Sequence, residues 1–111
     1  MPVNRNETTG ESVYISPSRE EHEERVQKPF YETARELIRR NVSKESSIII
    51  DVGCSDLVAT GPLIEEGFKV VGLDLDETAV DKAKEFYPNA NVFVADIRAI
   101  PLSIPEEHQK F

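Results

Sequence analysis

Three times between residues 48 and 96 a short apolar run ends in an aspartate, and that repetition leaves few folds open. Ile48-Ile49-Ile50 leads into Asp51, Lys69-Val70-Val71-Gly72-Leu73 into Asp74, and Asn91-Val92-Phe93-Val94-Ala95 into Asp96. Short continuous apolar runs read as strands buried in a parallel sheet. Between them lie segments of helical character, Leu57 to Glu66 closed by Gly67 and Glu77 to Tyr87 closed by Pro88, with Asp76 placed as N-cap. The acids stand 23 and 22 residues apart, one strand-helix unit each. Alternating strands and helices with short connections imply right-handed crossovers and a parallel sheet. In such sheets ligands bind beyond the carboxyl ends of the strands, where these acids lie. The expected class is therefore α/β, a layered sheet of parallel strands with a helix ahead of it.

That helix is expected to begin at Ser18, whose spacing to Glu21 makes a capping box. Val26, Phe30, Ala34, Leu37 and Ile38 recur at helical spacing and predict a stripe packed on the sheet, interrupted by Pro29. Residues 1 to 17 show no apolar periodicity and read as a flexible tail, which places the domain at residues 18 to 111.

The strand-end residues resemble those of the S-adenosylmethionine-dependent methyltransferases with a Rossmann-like fold. The family's first motif is an acid followed by glycines at alternate positions, and here it reads Asp51, Gly53, Ser55, Leu57, with the first glycine alone kept. The second is an acid ending the second strand, matched by Asp74, and the third an aspartate ending the next, matched by Asp96 in Asp96-Ile97-Arg98-Ala99-Ile100-Pro101-Leu102. The resemblance implies a three-layer αβα arrangement and S-adenosylmethionine as cofactor. It implies that Asp51, Gly53, Cys54, Ser55, Asp74, Leu75, Asp96 and Ile97 hold that cofactor.

Physical chemistry supports each role. A glycine after the first strand lets the backbone approach the amino-acid end of the cofactor. A carboxylate at Asp74 can accept both hydroxyls of a ribose. Asp96 and the amide of Ile97 can meet the adenine edge, with Leu75 and Ile97 bracketing the ring. Leu57, where the family favours a third glycine, is expected to widen or partly fill the loop. Gly61-Pro62 is expected to kink the following helix or delay its start. Phe30 or Tyr31, ahead of the first strand, could also touch the ligand. A nicotinamide dinucleotide is excluded, because Gly53, Ser55 and Asp56 do not form the G-x-G-x-x-G phosphate turn and Asp56 would repel a phosphate.

After Pro101 the resemblance leads towards a fourth strand that the sequence does not include, and the family's acceptor-binding residues usually follow that strand. The chain therefore reads as the cofactor-binding front of a partial, truncated domain, with the isolated chain expected to be inactive and its acceptor unidentified. The first strand is left with an open apolar edge that a second copy or a partner subunit could cover. Two alternatives stay open: a non-catalytic remnant or regulatory subunit, and a domain for another adenosine compound.

The formal charge of −8, from 21 acids against 13 bases, disfavours a nucleic-acid surface. The basic cluster of Arg35, Arg39, Arg40 and Lys44 reads as a solvated helix end. One cysteine and no apolar leader or span point to the cytoplasm and away from membranes. Cys54 reads as a small filler within the loop. His22 and His108 stand in polar, exposed-looking surroundings without a second ligand at metal spacing, so no metal is expected.

Overall fold

A computed structural model describes residues 3–5 and 12–98. β1 (Val3–Arg5) and β2 (Ser12–Tyr14) pair antiparallel. α1 (Arg19–Val26) and α2 (Pro29–Asn41) follow, and then a parallel alternation: β3 (Ile48–Val52), α3 (Gly61–Glu65), β4 (Lys69–Asp74), α4 (Glu77–Phe86) and β5 (Asn91–Val94). The sheet order is β3-β4-β5, with β4 central. Asp51 lies level with Gly72 and Asp74 with Val94, so the three strands end side by side.

Each helix boundary has a local cause. Ser18 caps α1 through a full capping box with Glu21, at 3.1 Å in both directions. Pro29, unable to donate an amide, starts α2 instead of kinking one long helix. The Asp76 carboxylate accepts from the amides of Thr78 and Ala79 and caps α4. Residues 55–60 form turns, and α3 starts at Gly61, with Pro62 in its first turn. The late start expected of Gly61-Pro62 is thus observed, and the helical reading from Leu57 is corrected at its beginning.

Two buried clusters lie on one face of the sheet. Cys54, Leu57, Val80, Ala83, Phe86, Tyr87 and Val92 form one buried cluster. Leu63, Phe68 and Val70 form another, packed against Ile38, Val42 and Ile49. On the opposite face Ile48, Ile50 and Val52 of β3 are each about half exposed, while Val71 and Leu73 of β4 are buried. Among the described residues β3 is an edge strand with β4 as its neighbour, as the open edge expected from sequence requires.

Several expectations need correction. Part of the segment read as a tail carries structure: residues 3–5 and 12–14 are paired strands, and Tyr14 is buried. Phe30 and Leu37, assigned to the packed stripe, are 78% and 58% exposed. α2 instead turns Arg35 inwards, together with Ile38 and Val42. The Arg35 guanidinium donates to the carbonyls of Val58 (3.2 Å), Ala59 (2.9 Å) and Val26. It therefore braces the 55–60 turn and the end of α1, and is no part of a solvated basic end. His22, read as exposed, is buried. His108 lies outside the described residues.

Candidate functional site

Where the strands end, the chain turns sharply and stays in contact with its neighbours. The amides of Gly53 and Cys54 both donate to the Leu73 carbonyl, at 2.8 and 3.0 Å, fastening the turn after β3 to the end of β4. Gly53, Ser55 and Leu57 all have positive φ, +70°, +52° and +63°. The alternate left-handed residues that a glycine-rich loop would supply are thus present, although two of them carry side chains. Such a backbone costs roughly 1–2 kcal/mol for each non-glycine residue, so its surroundings must hold it.

Leu57 does not fill the loop, contrary to expectation. Its side chain is fully buried and belongs to the core beneath the loop. Gly72 makes the room: a Cβ there would stand 2.9 Å from Leu57 Cδ2 and 3.0 Å from Cys54 Sγ. The missing glycine at 57 is matched by a glycine on the neighbouring strand.

An open cavity of about 240 Å³ lies over the strand ends, lined by Val52, Gly53, Leu73, Asp74, Leu75, Ala95, Asp96, Ile97 and Arg98. Five of the residues named from sequence, Gly53, Asp74, Leu75, Asp96 and Ile97, meet in it. Leu75 and Ile97, 61% and 46% exposed, supply apolar wall. The volume is small beside the roughly 300–1,000 Å³ of enclosed ligand pockets, so the cavity suits one end of an extended ligand.

Asp74 holds the loop as well as facing the cavity. Its Oδ2 accepts the Ser55 amide and its Oδ1 the Asp76 amide, both at 2.8 Å. Each oxygen keeps a second acceptor site for a hydroxyl. Asp96 is gripped by Arg98, whose Nε and amide reach Oδ1 at 2.9 Å and whose Nη2 reaches Oδ2 at 2.8 Å. That grip lowers the Asp96 carboxyl to about 2.

Asp51, Cys54 and Ser55 are not among the cavity-lining residues. Asp51 accepts from Thr60 Oγ1 at 2.8 Å. Burial pushes its carboxyl up, the Thr60 hydrogen bond opposes the rise and Asp74 adds to it. Cys54 is buried, and burial, with Asp51 and Asp74 nearby, drives its thiol well above the ordinary range. A filler, not a thiolate nucleophile, fits that environment. Phe30 lies outside this cavity, in a shallow groove on α2 with Pro29, Thr33, Ala34 and Leu37.

Sequence reasoning missed Arg98, whose signal was its place two residues after the third acid. It also missed Asp56. That residue is fully buried, does not line the cavity, and accepts from Tyr14 Oη at 2.9 Å and Arg25 Nη1 at 2.7 Å, with His22 Nδ1 at 3.4 Å. Burial raises its carboxyl, but the contacts with His22, Arg25 and Tyr14 outweigh burial and hold it at about 2.

A family model described as a methyltransferase domain matches residues 50–108, more than half of the chain. None of the curated proteins matches it. Among solved structures, a TehB-like SAM-dependent methyltransferase from Corynebacterium glutamicum is 26% identical with a TM-score of 0.56, over 78% of this chain and 50% of that one. A protein of Thermoplasma acidophilum is 22% identical with a TM-score of 0.59, over 77% of this chain and 50% of that one. SAM-bound CalS10, an amino pentose methyltransferase from Micromonospora echinaspora, is 19% identical with a TM-score of 0.57, over 81% of this chain and 39% of that one. The last two share the fold. The chain spans about half the length, or less, of these structures.

Proposed function

The chain belongs to the methyltransferase-domain family, and from that premise we infer that it is the S-adenosylmethionine-binding part of a methyltransferase acting on an acceptor still to be identified. The observation that carries this reading is the meeting of Gly53, two strand-end acids and two apolar walls in one cavity. The donor set fits the cofactor. Gly53, with positive φ and open space where a Cβ would stand, would let the amino-acid end approach the backbone. Asp74 would take the ribose hydroxyls on its remaining acceptor sites, and Asp96 with the Ile97 amide would read the adenine edge between Leu75 and Ile97. Cys54 and Ser55 would act through the backbone of the turn after β3, and Asp51, within β3, through the hydrogen bond it accepts from Thr60.

Bound there, S-adenosylmethionine would supply a methyl on a sulfonium sulfur for displacement by an acceptor nucleophile, leaving S-adenosylhomocysteine. The part of this chain is to bind and orient, and positioning of reactants is a large share of such catalysis. Residues 18–111 are our reading of the extent of this partial domain, and the single free, buried cysteine suits a cytoplasmic setting. Isothermal calorimetry tests the assignment: S-adenosylhomocysteine should bind and NAD should not. Equal binding of both, or no adenosyl binding by a folded chain, would sink it.

The exposure of Ile48, Ile50 and Val52 beside a strand edge that is unpaired among the described residues favours a second reading, in which a second copy or a partner subunit completes the sheet. If a second copy does so, Ile50→Lys should convert a dimer to monomer in sedimentation with the fold intact by circular dichroism. Ile50 suits the test better than Ile49, which packs against the core. A wild-type chain that sediments as a monomer at all concentrations would remove the homodimer.

A further inference from the structure

Asp56 lies in the turn between β3 and α3, yet every one of its described partners belongs to the N-terminal segment. Tyr14 closes β2, and His22 and Arg25 stand one turn apart on α1. None of the three lines the strand-end cavity. Behind them, His22 Nε2 is 2.8 Å from Tyr87 Oη and the imidazole stacks on Phe86 at 4.3 Å, so this side of α1 is set firmly against the end of α4.

On either side of Asp56 are Ser55 and Leu57, the two residues with side chains that hold positive φ. A strained turn persists where its surroundings over-determine it. Leu57 is held by the core, and Ser55 by its amide on Asp74 Oδ2. Asp56, between them, is held by the N-terminal segment. The geometry points to Asp56 as a positioning residue: by hooking Tyr14 and α1 onto the turn, it keeps the Ser55 amide on Asp74 and the Gly53 backbone in the shape that the cavity requires. The N-terminal segment then tunes cofactor affinity without touching the cofactor. This inference rests on the adenosyl reading of the cavity.

The grip is uneven. Oδ2 of Asp56 takes both hydrogen bonds, while its Oδ1 and Nη2 of Arg25 are buried without a partner among the described residues. Removing the carboxylate charge also leaves the part-buried Arg25 guanidinium without its counter-charge, so Asp56→Asn is the severe variant. Tyr14→Phe, which deletes one hydroxyl, is the mild one.

Both variants of the full chain, compared with wild type at a temperature where circular dichroism shows them folded, test the inference. Amide exchange should accelerate at Ser55, about tenfold in Asp56→Asn and a few-fold in Tyr14→Phe, while Val70 and Val71 in β4 keep their protection. The dissociation constant for S-adenosylhomocysteine should rise in parallel, by roughly tenfold and a few-fold. A merely structural role would lower protection at Ser55 and in β4 together and leave the affinity of the folded protein unchanged, and that result overturns the inference. So does unaltered exchange at Ser55. Should wild type fail to bind S-adenosylhomocysteine, the cofactor assignment falls, and the exchange pattern still decides whether Asp56 positions the turn. If Asp56→Asn does not fold, Tyr14→Phe carries the decision alone.

Discussion

Leu57→Gly, which restores the residue favoured at this position by the family that the sequence resembles, should destabilise the protein by about 2–4 kcal/mol. The change has two opposing parts. Glycine relieves the positive φ of +63° at this position, worth roughly 1–2 kcal/mol. It also removes a fully buried leucine from the main cluster, and truncating such a side chain to alanine alone costs about 2–5 kcal/mol, with some 0.5–1 kcal/mol more for the flexibility of glycine. The cavity term wins. For a domain of this size the midpoint of thermal unfolding should fall by roughly 10–20 °C. Ser55→Gly should go the other way, gaining up to about 1 kcal/mol, because Ser55 pays for a left-handed backbone and its buried hydroxyl finds no partner among the described residues. The coupling to Gly72 is checkable as well. Gly72→Ala should be costly in wild type, where its Cβ would crowd Leu57 and Cys54, and less costly beside Leu57→Gly, which removes the first of these contacts and leaves the second. A Leu57→Gly protein as stable as wild type would show that the packing of the side chain is worth no more than the backbone strain it imposes.

The same pair explains what could be read in advance. The three strands and their terminal acids were legible because a buried parallel strand writes its apolar run contiguously in the chain, and the acid that follows stands in register with its neighbours. Gly53, Asp74, Leu75, Asp96 and Ile97 were implied by the family resemblance that this pattern carries, and the register of the strands brings them to one cavity. Leu57 could not be placed in the same way, since the space it occupies is created by Gly72, on the next strand. Asp56 was opaque for a similar reason: its partners Tyr14 and Arg25 lie 42 and 31 residues away, and a charged residue in a loop carries no local mark of burial. Periodicity on α2 identified an apolar stripe correctly but not the direction it faces. Arg35, which reaches the carbonyls at positions 26, 58 and 59, sets that rotation and leaves Phe30 and Leu37 outside.

Asp74→Ala should raise the dissociation constant for S-adenosylhomocysteine by a hundredfold or more, beyond the ten- to hundredfold of a lost ribose contact. Removing one partner of a charge-assisted hydrogen bond costs about 1.5–3 kcal/mol, a factor of roughly ten to a hundred in affinity. That would be the whole effect if Asp74 met the ligand alone. Its oxygens, however, also hold the Ser55 and Asp76 amides, so the alanine variant leaves the turn after β3 without one of its anchors and the approach to α4 without another. Asp74→Asn separates the contributions. An amide oxygen can still accept one of the two backbone donors, while the charge that favours a ribose hydroxyl is gone. Calorimetry should therefore place Asn between wild type and Ala in affinity, and urea denaturation should find Ala less stable than Asn. If Ala and Asn bind equally and both match wild type, Asp74 is a turn carboxylate and the adenosyl site lies elsewhere. If affinity falls in both while both stay as stable as wild type, the ribose contact carries the full effect and the loop is held by its contacts other than Asp74.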